Sequence, residues 1–164
     1  MAVGPEKPVV SDTTPLINLV GVGLLDLLPQ IYGEIFIANA VYEEYTVGIR
    51  ENDPDLTSLP WLHVVPVFQQ DPFLTKQLGA GEAATIALAL RVQARAVLLD
   101  EQMARRIARE YGLPIVGTLG ILLAAKEEGL LPAIKPIVDE MVSQGRHISE
   151  RLRAQVLAAA NEGN

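Results

Sequence analysis

Five short apolar runs alternate along this chain with longer segments of helical pattern. The runs cover residues 8–11, 34–37, 62–67, 96–99 and 114–116, and each is bounded by glycine, proline or polar residues. Their length favours strands over buried helices. Strands that alternate with helices are typical of an α/β domain with a parallel sheet and helices on both faces. We therefore expect a single-domain three-layer α/β/α fold with a mainly parallel sheet of about four or five strands.

The segments between these runs carry helical patterns of different kinds. "GEAATIALALRV" is apolar nearly all round, which predicts a buried helix, whereas "EQMARRIAREYG" places its arginines on one face. An apolar segment starting at Leu24 is expected to stop at Pro29 and Gly33. A final helix is expected to begin after an N-cap at Ser149 and to run to about Ala160. The polar segment 48–60 is either a mobile flap or an ordinary surface loop.

Length and composition limit the possible class of protein. The chain has 164 residues with a mean hydropathy of +0.26, which predicts one domain over 1–164 with its core at about 8–160. It has no cysteine, so disulfides, zinc–cysteine sites and thiol nucleophiles are excluded. No secretory signal starts the sequence, and no apolar run reaches the ~18 residues of a membrane span. We therefore expect a cytoplasmic protein with no membrane partner.

The charges are distributed unevenly along the chain. Residues 1–90 hold three basic and eleven acidic residues, a balance of −8, whereas residues 91–164 have a balance of +1 and the whole chain −7. The acidic total argues mildly against a general nucleic-acid binder. Any arginines that contact a phosphate backbone are therefore expected in the second half.

Two aspartates stand where predicted strands end. Asp12 follows the first run and Asp100 follows the fourth. Sites in open parallel sheets form outside the carboxyl ends of the strands, so the two carboxylates converge if these strands are neighbours. Each aspartate is equally well placed to cap the helix that follows it. The position of either residue alone leaves both interpretations open.

Two glutamates extend this set. Glu82 lies in the first turn of the apolar helix, where the helix dipole alone would favour it, and Glu44 lies on the helix after the second strand, where a solvated face is the simpler reading. Four carboxylates at one edge of a sheet would repel each other unless a cation compensates. Oxygen ligands without sulfur and with little histidine favour Mg²⁺ or Mn²⁺. Such ions activate water for phosphodiester hydrolysis.

An ordered set of motifs resembles the PIN domain family. The motifs are "VVSDTTPLINL", "IFIANAVYEEY", "LGAGEAATIALAL", "VLLDEQMARRIA" and "IVGTLGILLAAKEEGLLP". They look most like an uncharacterised branch related to VapC-like toxins, and the likeness covers roughly residues 8–160. The resemblance implies a parallel sheet surrounded by helices. It also implies that four acidic residues hold one or two Mg²⁺ or Mn²⁺ ions and that this metal site cleaves RNA.

The resemblance assigns the catalytic and metal-binding roles to Asp12, Glu44, Glu82 and Asp100. Many PIN toxins have an aspartate where this chain has Glu82. Many also have an aspartate two residues after the fourth acid, where this chain has Gln102. Glu43 is an alternative second acid, although the spacing from the preceding apolar residue favours Glu44. These departures leave the metal site expected and turnover open.

Four further residues are candidates for substrate binding. Hydroxyls of Thr13, Thr14 and Thr118 are placed to reach the scissile phosphate, or else to cap the helices they precede. Arg105 follows Asp100 by a little more than one helical turn and suits a phosphate by its forked geometry. For Arg106 and Arg109, a solvated helical face is favoured over phosphate contact.

Taken together, these features predict a metal-dependent endoribonuclease, the toxin of a toxin–antitoxin pair. Its expected partners are an RNA substrate, an antitoxin protein and a second copy of the chain in a homodimer, as PIN toxins tend to form. The alternative is a PIN-like module that binds RNA or protein without turnover, or with little of it. No sequence feature identifies the RNA target or the number of metal ions.

Overall fold

A five-stranded, all-parallel sheet forms the centre of the protein, whose computed structural model describes residues 6–68 and 71–163. The strands are β1 (Val9–Ser11), β2 (Ile35–Ala38), β3 (Leu62–Val65), β4 (Ala96–Leu98) and β5 (Ile115–Val116). Their order across the sheet is β3-β2-β1-β4-β5. The predicted strands are therefore confirmed with shifted ends, and β1 and β4 are neighbours.

Nine α-helices flank this sheet within the described residues and complete a three-layer α/β/α fold. They are α1 (Thr13–Gly21), α2 (Leu27–Tyr32), α3 (Asn39–Gly48), α4 (Pro72–Gln77), α5 (Ala80–Val92), α6 (Gln102–Glu110), α7 (Thr118–Glu127), α8 (Lys135–Ser143) and α9 (Glu150–Ala159). The predicted fold class is confirmed. The limits of the predicted domain, residues 1–5 and 164, lie outside the described residues.

The helix α2 differs from the sequence prediction. Pro29 is its third residue and does not stop it, because the amides of the first turn have no partner within a helix. The helix ends instead at Gly33, whose φ of 76° is readily adopted by glycine. The prediction of a stop at Pro29 was wrong, whereas the stop at Gly33 is confirmed.

The segment 48–60 is packed against the domain. Leu56 is fully buried in a short 3-10 turn, and the Tyr45 hydroxyl donates a hydrogen bond to the Pro54 carbonyl at 2.9 Å. An ordinary surface loop therefore describes this segment better than a flap.

The short helix α4 was not anticipated from the sequence.

The last helix follows its capping signal. The Ser149 hydroxyl accepts a hydrogen bond from the Leu152 amide, so the predicted N-cap of α9 is confirmed. Within the described residues, no helix has both the length and the apolar character that crossing a membrane requires.

Candidate functional site

Asp12 lies directly beyond the carboxyl end of β1 and is 3% exposed. Its amide donates a hydrogen bond to the Leu98 carbonyl of β4 at 2.9 Å, which holds it beside the neighbouring strand end. Its side chain makes no capping bond to α1. The Thr85 hydroxyl of α5 donates to it at 3.4 Å instead. Asp12 therefore occupies the N-cap position of α1, but its carboxylate does not make the usual capping bond to the second or third amide of the helix.

The environment of Asp12 disfavours its charge. Its pKa is raised from 3.8 to about 7, mainly by burial and also by the negative charges of Glu82 and Glu44. Hydrogen bonds from the Thr13 amide and the Thr85 hydroxyl only partly offset this rise in pKa. A buried carboxyl group beside two other carboxylates is typical of functional sites.

Glu44 joins three elements at this edge of the sheet. Its carboxylate accepts hydrogen bonds from the Thr13 hydroxyl at 2.8 Å and from the Gly81 amide at 2.8 Å. A Cβ at position 81 would lie 2.7 Å from the carboxyl carbon of Glu44, so only glycine leaves room for this contact. Glu43 and Glu44 are both exposed, but among the side-chain contacts of the described residues Glu43 contributes only its carbonyl, to Thr46. The structure therefore brings Glu44, rather than Glu43, beside Asp12.

Glu82 lies in the first turn of α5 and caps its own helix. Its carboxylate accepts a hydrogen bond from the Gly79 amide at 3.1 Å, a capping contact in addition to the favourable helix dipole that we expected. Burial raises its pKa, and the nearby charges of Glu101 and Glu44 raise it further. Glu82 is therefore both a helix cap and a member of the acidic group, in which Glu101 is an additional carboxylate.

Asp100 is held by the helix that follows β5. One of its oxygens accepts from the Thr118 amide at 2.7 Å, and the other accepts from the Thr118 hydroxyl at 2.5 Å. The N-cap of its own helix, α6, is Glu101, which accepts from the Met103 and Ala104 amides. The expectation that Asp100 caps α6 was therefore wrong, because Glu101 takes that position.

Thr118 is also not the N-cap that we expected. That position belongs to Gly117, and Thr118 is the first residue of α7. Its hydroxyl orients Asp100, and its 3% exposure removes it from direct contact with solvent. Thr13 likewise orients Glu44, whereas Thr14 is exposed on the adjoining surface.

Asn18 is a site residue that sequence reasoning missed. It lies on α1 and is 9% exposed, and its side-chain amide donates to Asp100 at 3.3 Å and to Thr118 at 3.2 Å. Its Oδ1 atom is buried without a hydrogen-bond partner. The sequence signal was a single amide side chain in the apolar run "PLINLV".

A cleft of about 1050 Å³ opens beside Asp100. Thr14, Arg105 and Thr118 line it together with Asp100. The Arg105 guanidinium donates to the Leu99 carbonyl at 2.9 Å, and burial lowers its pKa while the Asp100 charge raises it. Gly117 permits this arrangement, because a Cβ there would lie 2.7 Å from the Arg105 guanidinium and 3.0 Å from Asp100.

The other two arginines of α6 lie on its exposed side. Arg106 pairs with Glu110 at 3.7 Å, and Arg109 is exposed at the end of the helix. Neither lines the cleft. The expectation of a solvated face fits both residues.

The donor atoms at this edge fit a hard divalent cation, although their arrangement is not that of a formed coordination shell. All four carboxylates offer oxygen, the ligand that Mg²⁺ and Mn²⁺ prefer. No ion pair in residues 6–68 and 71–163 joins Lys or Arg to any of the four. Over the same residues, no three acidic or histidine side chains are grouped to hold a metal ion. Each of the four accepts hydrogen bonds from the protein instead.

Comparison with known proteins gives the class. A family model described as a PIN domain matches residues 8–162, nearly the whole chain. The chain therefore belongs to the PIN domain family, whose members have a nuclease-type fold and are generally nucleases that use divalent metals. No curated protein matches the chain significantly.

Proposed function

We propose that this protein is a metal-dependent endoribonuclease that hydrolyses RNA phosphodiester bonds with Mg²⁺ or Mn²⁺. The observation that carries the proposal is the buried Asp12, which shares one edge of the sheet with Glu44 and Glu82 while no basic side chain of the described residues pairs with any of them. Asp100 lies just beyond the end of β4, the strand that pairs with β1. A divalent cation is the simplest compensation for these charges.

The proposed metal ligands are Asp12, Glu44, Glu82 and Asp100. The chemistry expected of a bound ion is polarisation of the phosphodiester and a lowered pKa of water. Thr13, Asn18 and Thr118 orient two of the ligands through the hydrogen bonds described above. Thr14 and Arg105, on the wall of the cleft, are proposed to contact the RNA phosphates, and arginine suits this role by its geometry.

The biological role proposed is that of a toxin held inactive by an antitoxin protein. This part rests on the resemblance to VapC-like toxins. It predicts that expression of the protein arrests growth and that Asp12→Asn relieves the arrest. Growth arrest by both forms at equal protein levels would contradict the role.

The enzymatic test uses protein stripped of divalent cations with EDTA. Labelled single-stranded RNA should remain intact until Mn²⁺ or Mg²⁺ is added and should then be cut. Glu44→Gln should lose this cleavage, and Glu43→Gln, which changes the exposed neighbour by the same chemistry, should retain it. Equal activity of the two variants would remove Glu44 from the site.

A PIN-like binding module without turnover is the second candidate. The absence of a formed coordination shell in the described residues favours it. Calorimetry would first show that the protein binds Mn²⁺. If this protein then binds RNA or a protein partner but cleaves none of a varied set of RNAs, the binding module is the correct candidate.

A further inference from the structure

The cleft beside Asp100 has a charge opposite to that of the rest of the site. Of the described residues that line it, Asp100 alone carries a carboxylate, whereas Arg105, Arg146 and His147 bring basic groups. The other carboxylates of the site, Glu44, Glu82 and Glu101, do not line the cleft. In a chain of net charge −7, this asymmetry gives an anionic strand one favourable approach to Asp100.

The backbone of Arg146 is held in place, and its guanidinium has hydrogen-bonding capacity to spare. Its amide donates to the Met141 carbonyl at 3.0 Å, directly after Gly145 with φ of 91°. The Gln144 side chain donates to the Gly21 carbonyl at 2.8 Å, which ties this turn to the end of α1. The Arg146 Nε atom is shielded from solvent without a hydrogen-bond partner in the described structure. Among the described residues, no ion pair or side-chain hydrogen bond engages the Arg146 guanidinium, so this group of the cleft lining is available to an anion.

The remaining wall of the cleft is apolar. Leu119, Leu123, Ile148 and Leu152 line it, and Leu152 is 46% exposed. A volume of about 1050 Å³ lies at the upper end of typical ligand pockets and accommodates a nucleotide. Apolar side chains beside guanidinium groups match an unpaired base next to its phosphate.

We infer that this cleft binds single-stranded RNA, with the nucleotide that flanks the scissile phosphate seated between α7 and α9 and its phosphate on Arg146. This inference rests on the proposed function for its substrate class. It adds Arg146 as a phosphate-binding residue and Leu152 as part of a base-binding wall. A double helix does not offer an unpaired base to this wall, so duplex RNA should bind more weakly.

The test measures binding separately from cleavage. Fluorescence anisotropy of a short labelled oligouridylate is recorded with Mn²⁺ in the full-length Asp12→Asn background, across a series of salt concentrations. Arg146→Ala should weaken binding about tenfold. It should also lower the slope of log affinity against log salt by about 0.7, the contribution of one phosphate contact on a single strand. Arg146→Lys should recover part of both.

Two controls distinguish binding in the cleft from a general effect of charge on RNA affinity. Arg151→Ala removes the same charge from an exposed position outside the cleft and should bind like the parent. Leu152→Glu places a carboxylate on the exposed apolar wall and should weaken binding, whereas Val142→Glu, at a similarly exposed position outside the cleft, should not. If circular dichroism shows that Arg146→Ala does not fold, the comparison of Leu152→Glu with Val142→Glu tests the inference.

Parent-like affinity and salt slope in Arg146→Ala and Leu152→Glu would overturn the inference. Equal weakening by Arg151→Ala, or duplex RNA bound as tightly as single strands, would also overturn it. The proposed function fails separately, when the wild-type protein with Mn²⁺ leaves RNA uncut while Arg146-dependent binding persists.

Discussion

Glu44 accepts a hydrogen bond from the backbone amide of Gly81, 37 positions further along the chain, at 2.8 Å. This contact attaches the second acidic residue of α3 to the start of α5. It also holds the Glu44 carboxylate near Glu82, the acidic residue in the first turn of α5.

Gly81→Ala should damage function more than stability. A Cβ at this position would lie 2.7 Å from the Glu44 carboxyl carbon, so the flexible Glu44 side chain must move away. The gain in helix propensity of up to about 1 kcal/mol offsets part of the lost contact. We expect the free energy of unfolding in urea to change by less than about 1 kcal/mol, and Mn²⁺-dependent cleavage to fall at least tenfold.

A double-mutant cycle provides the control for Gly81→Ala. In a Glu44→Ala background the clash is absent, so Gly81→Ala should raise the free energy of unfolding by the full helix-propensity gain of up to about 1 kcal/mol. The same change in unfolding free energy in the wild-type and Glu44→Ala backgrounds would show that Gly81 acts independently of Glu44.

Asp12→Asn should stabilise the metal-free protein at neutral and higher pH. The folded-state pKa of about 7 lies above the ordinary value of 3.8, so the folded state holds a proton that the unfolded state loses. Stability therefore falls as the pH rises from about 4 to about 7 and then levels off. At one pKa unit per 1.4 kcal/mol, the variant should gain about 2–4 kcal/mol at pH 8 and little at pH 4.

Urea unfolding of both proteins in EDTA across this pH range measures the effect. Saturating Mn²⁺ should stabilise the wild type more than the variant, because the cation compensates the charge that Asn lacks. A variant less stable than the wild type at pH 8 in EDTA would contradict the assigned environment of Asp12.

Asn18→Asp should loosen the support of Asp100. The substitution keeps the shape of the side chain but replaces the amide that donates to Asp100 and Thr118 with a second acceptor. We expect a loss of about 1–3 kcal/mol in stability at pH 8, with a smaller loss at pH 4, because the Asp100 charge raises the pKa of the introduced carboxyl group and favours its protonation there. Cleavage should fall with it.

The comparison with Asn18→Ala identifies the cause. That variant removes the donors without adding charge, so its stability loss should be nearly the same at both pH values. If Asn18→Asp were equally insensitive to pH, repulsion from Asp100 would not be its cause.

Glu162→Gln should reduce stability above about pH 4.5 and should flatten the acid limb of the stability profile. The Glu162 carboxylate accepts hydrogen bonds from the Ile134 and Lys135 amides and pairs with Lys126 at 2.9 Å. The two amides and Lys126 lower its pKa from 4.5 to about 2. The wild type therefore keeps this stabilisation above pH 4.5 and loses it as the pH falls toward 2.

Thermal unfolding between pH 2 and 7 tests this link between the C-terminal residues and α8. Glu127→Gln, an exposed glutamate on α7, provides the matched control and should follow the wild type. A Glu162→Gln profile parallel to that of the wild type down to pH 2 would contradict the prediction.

The sequence by itself determined the architecture. Strand-length apolar runs separated by helical patterns leave a parallel α/β sheet as the simple way to bury both faces, and this expectation was confirmed. The positions of Asp12 and Asp100 at strand ends also followed from local pattern, because a parallel sheet collects those ends at one edge. The match to the PIN domain family over residues 8–162 agrees with the motifs.

Only the tertiary structure decided which side chains meet. Sequence gave no reason to connect Asn18 with Asp100, 82 positions away, or Arg146 with the same cleft. Capping was a sound local reading of Asp12 and Asp100, yet Thr85 and Thr118, each distant in sequence, are their partners. Strand order and helix packing set these contacts through long-range burial, which local periodicity does not encode.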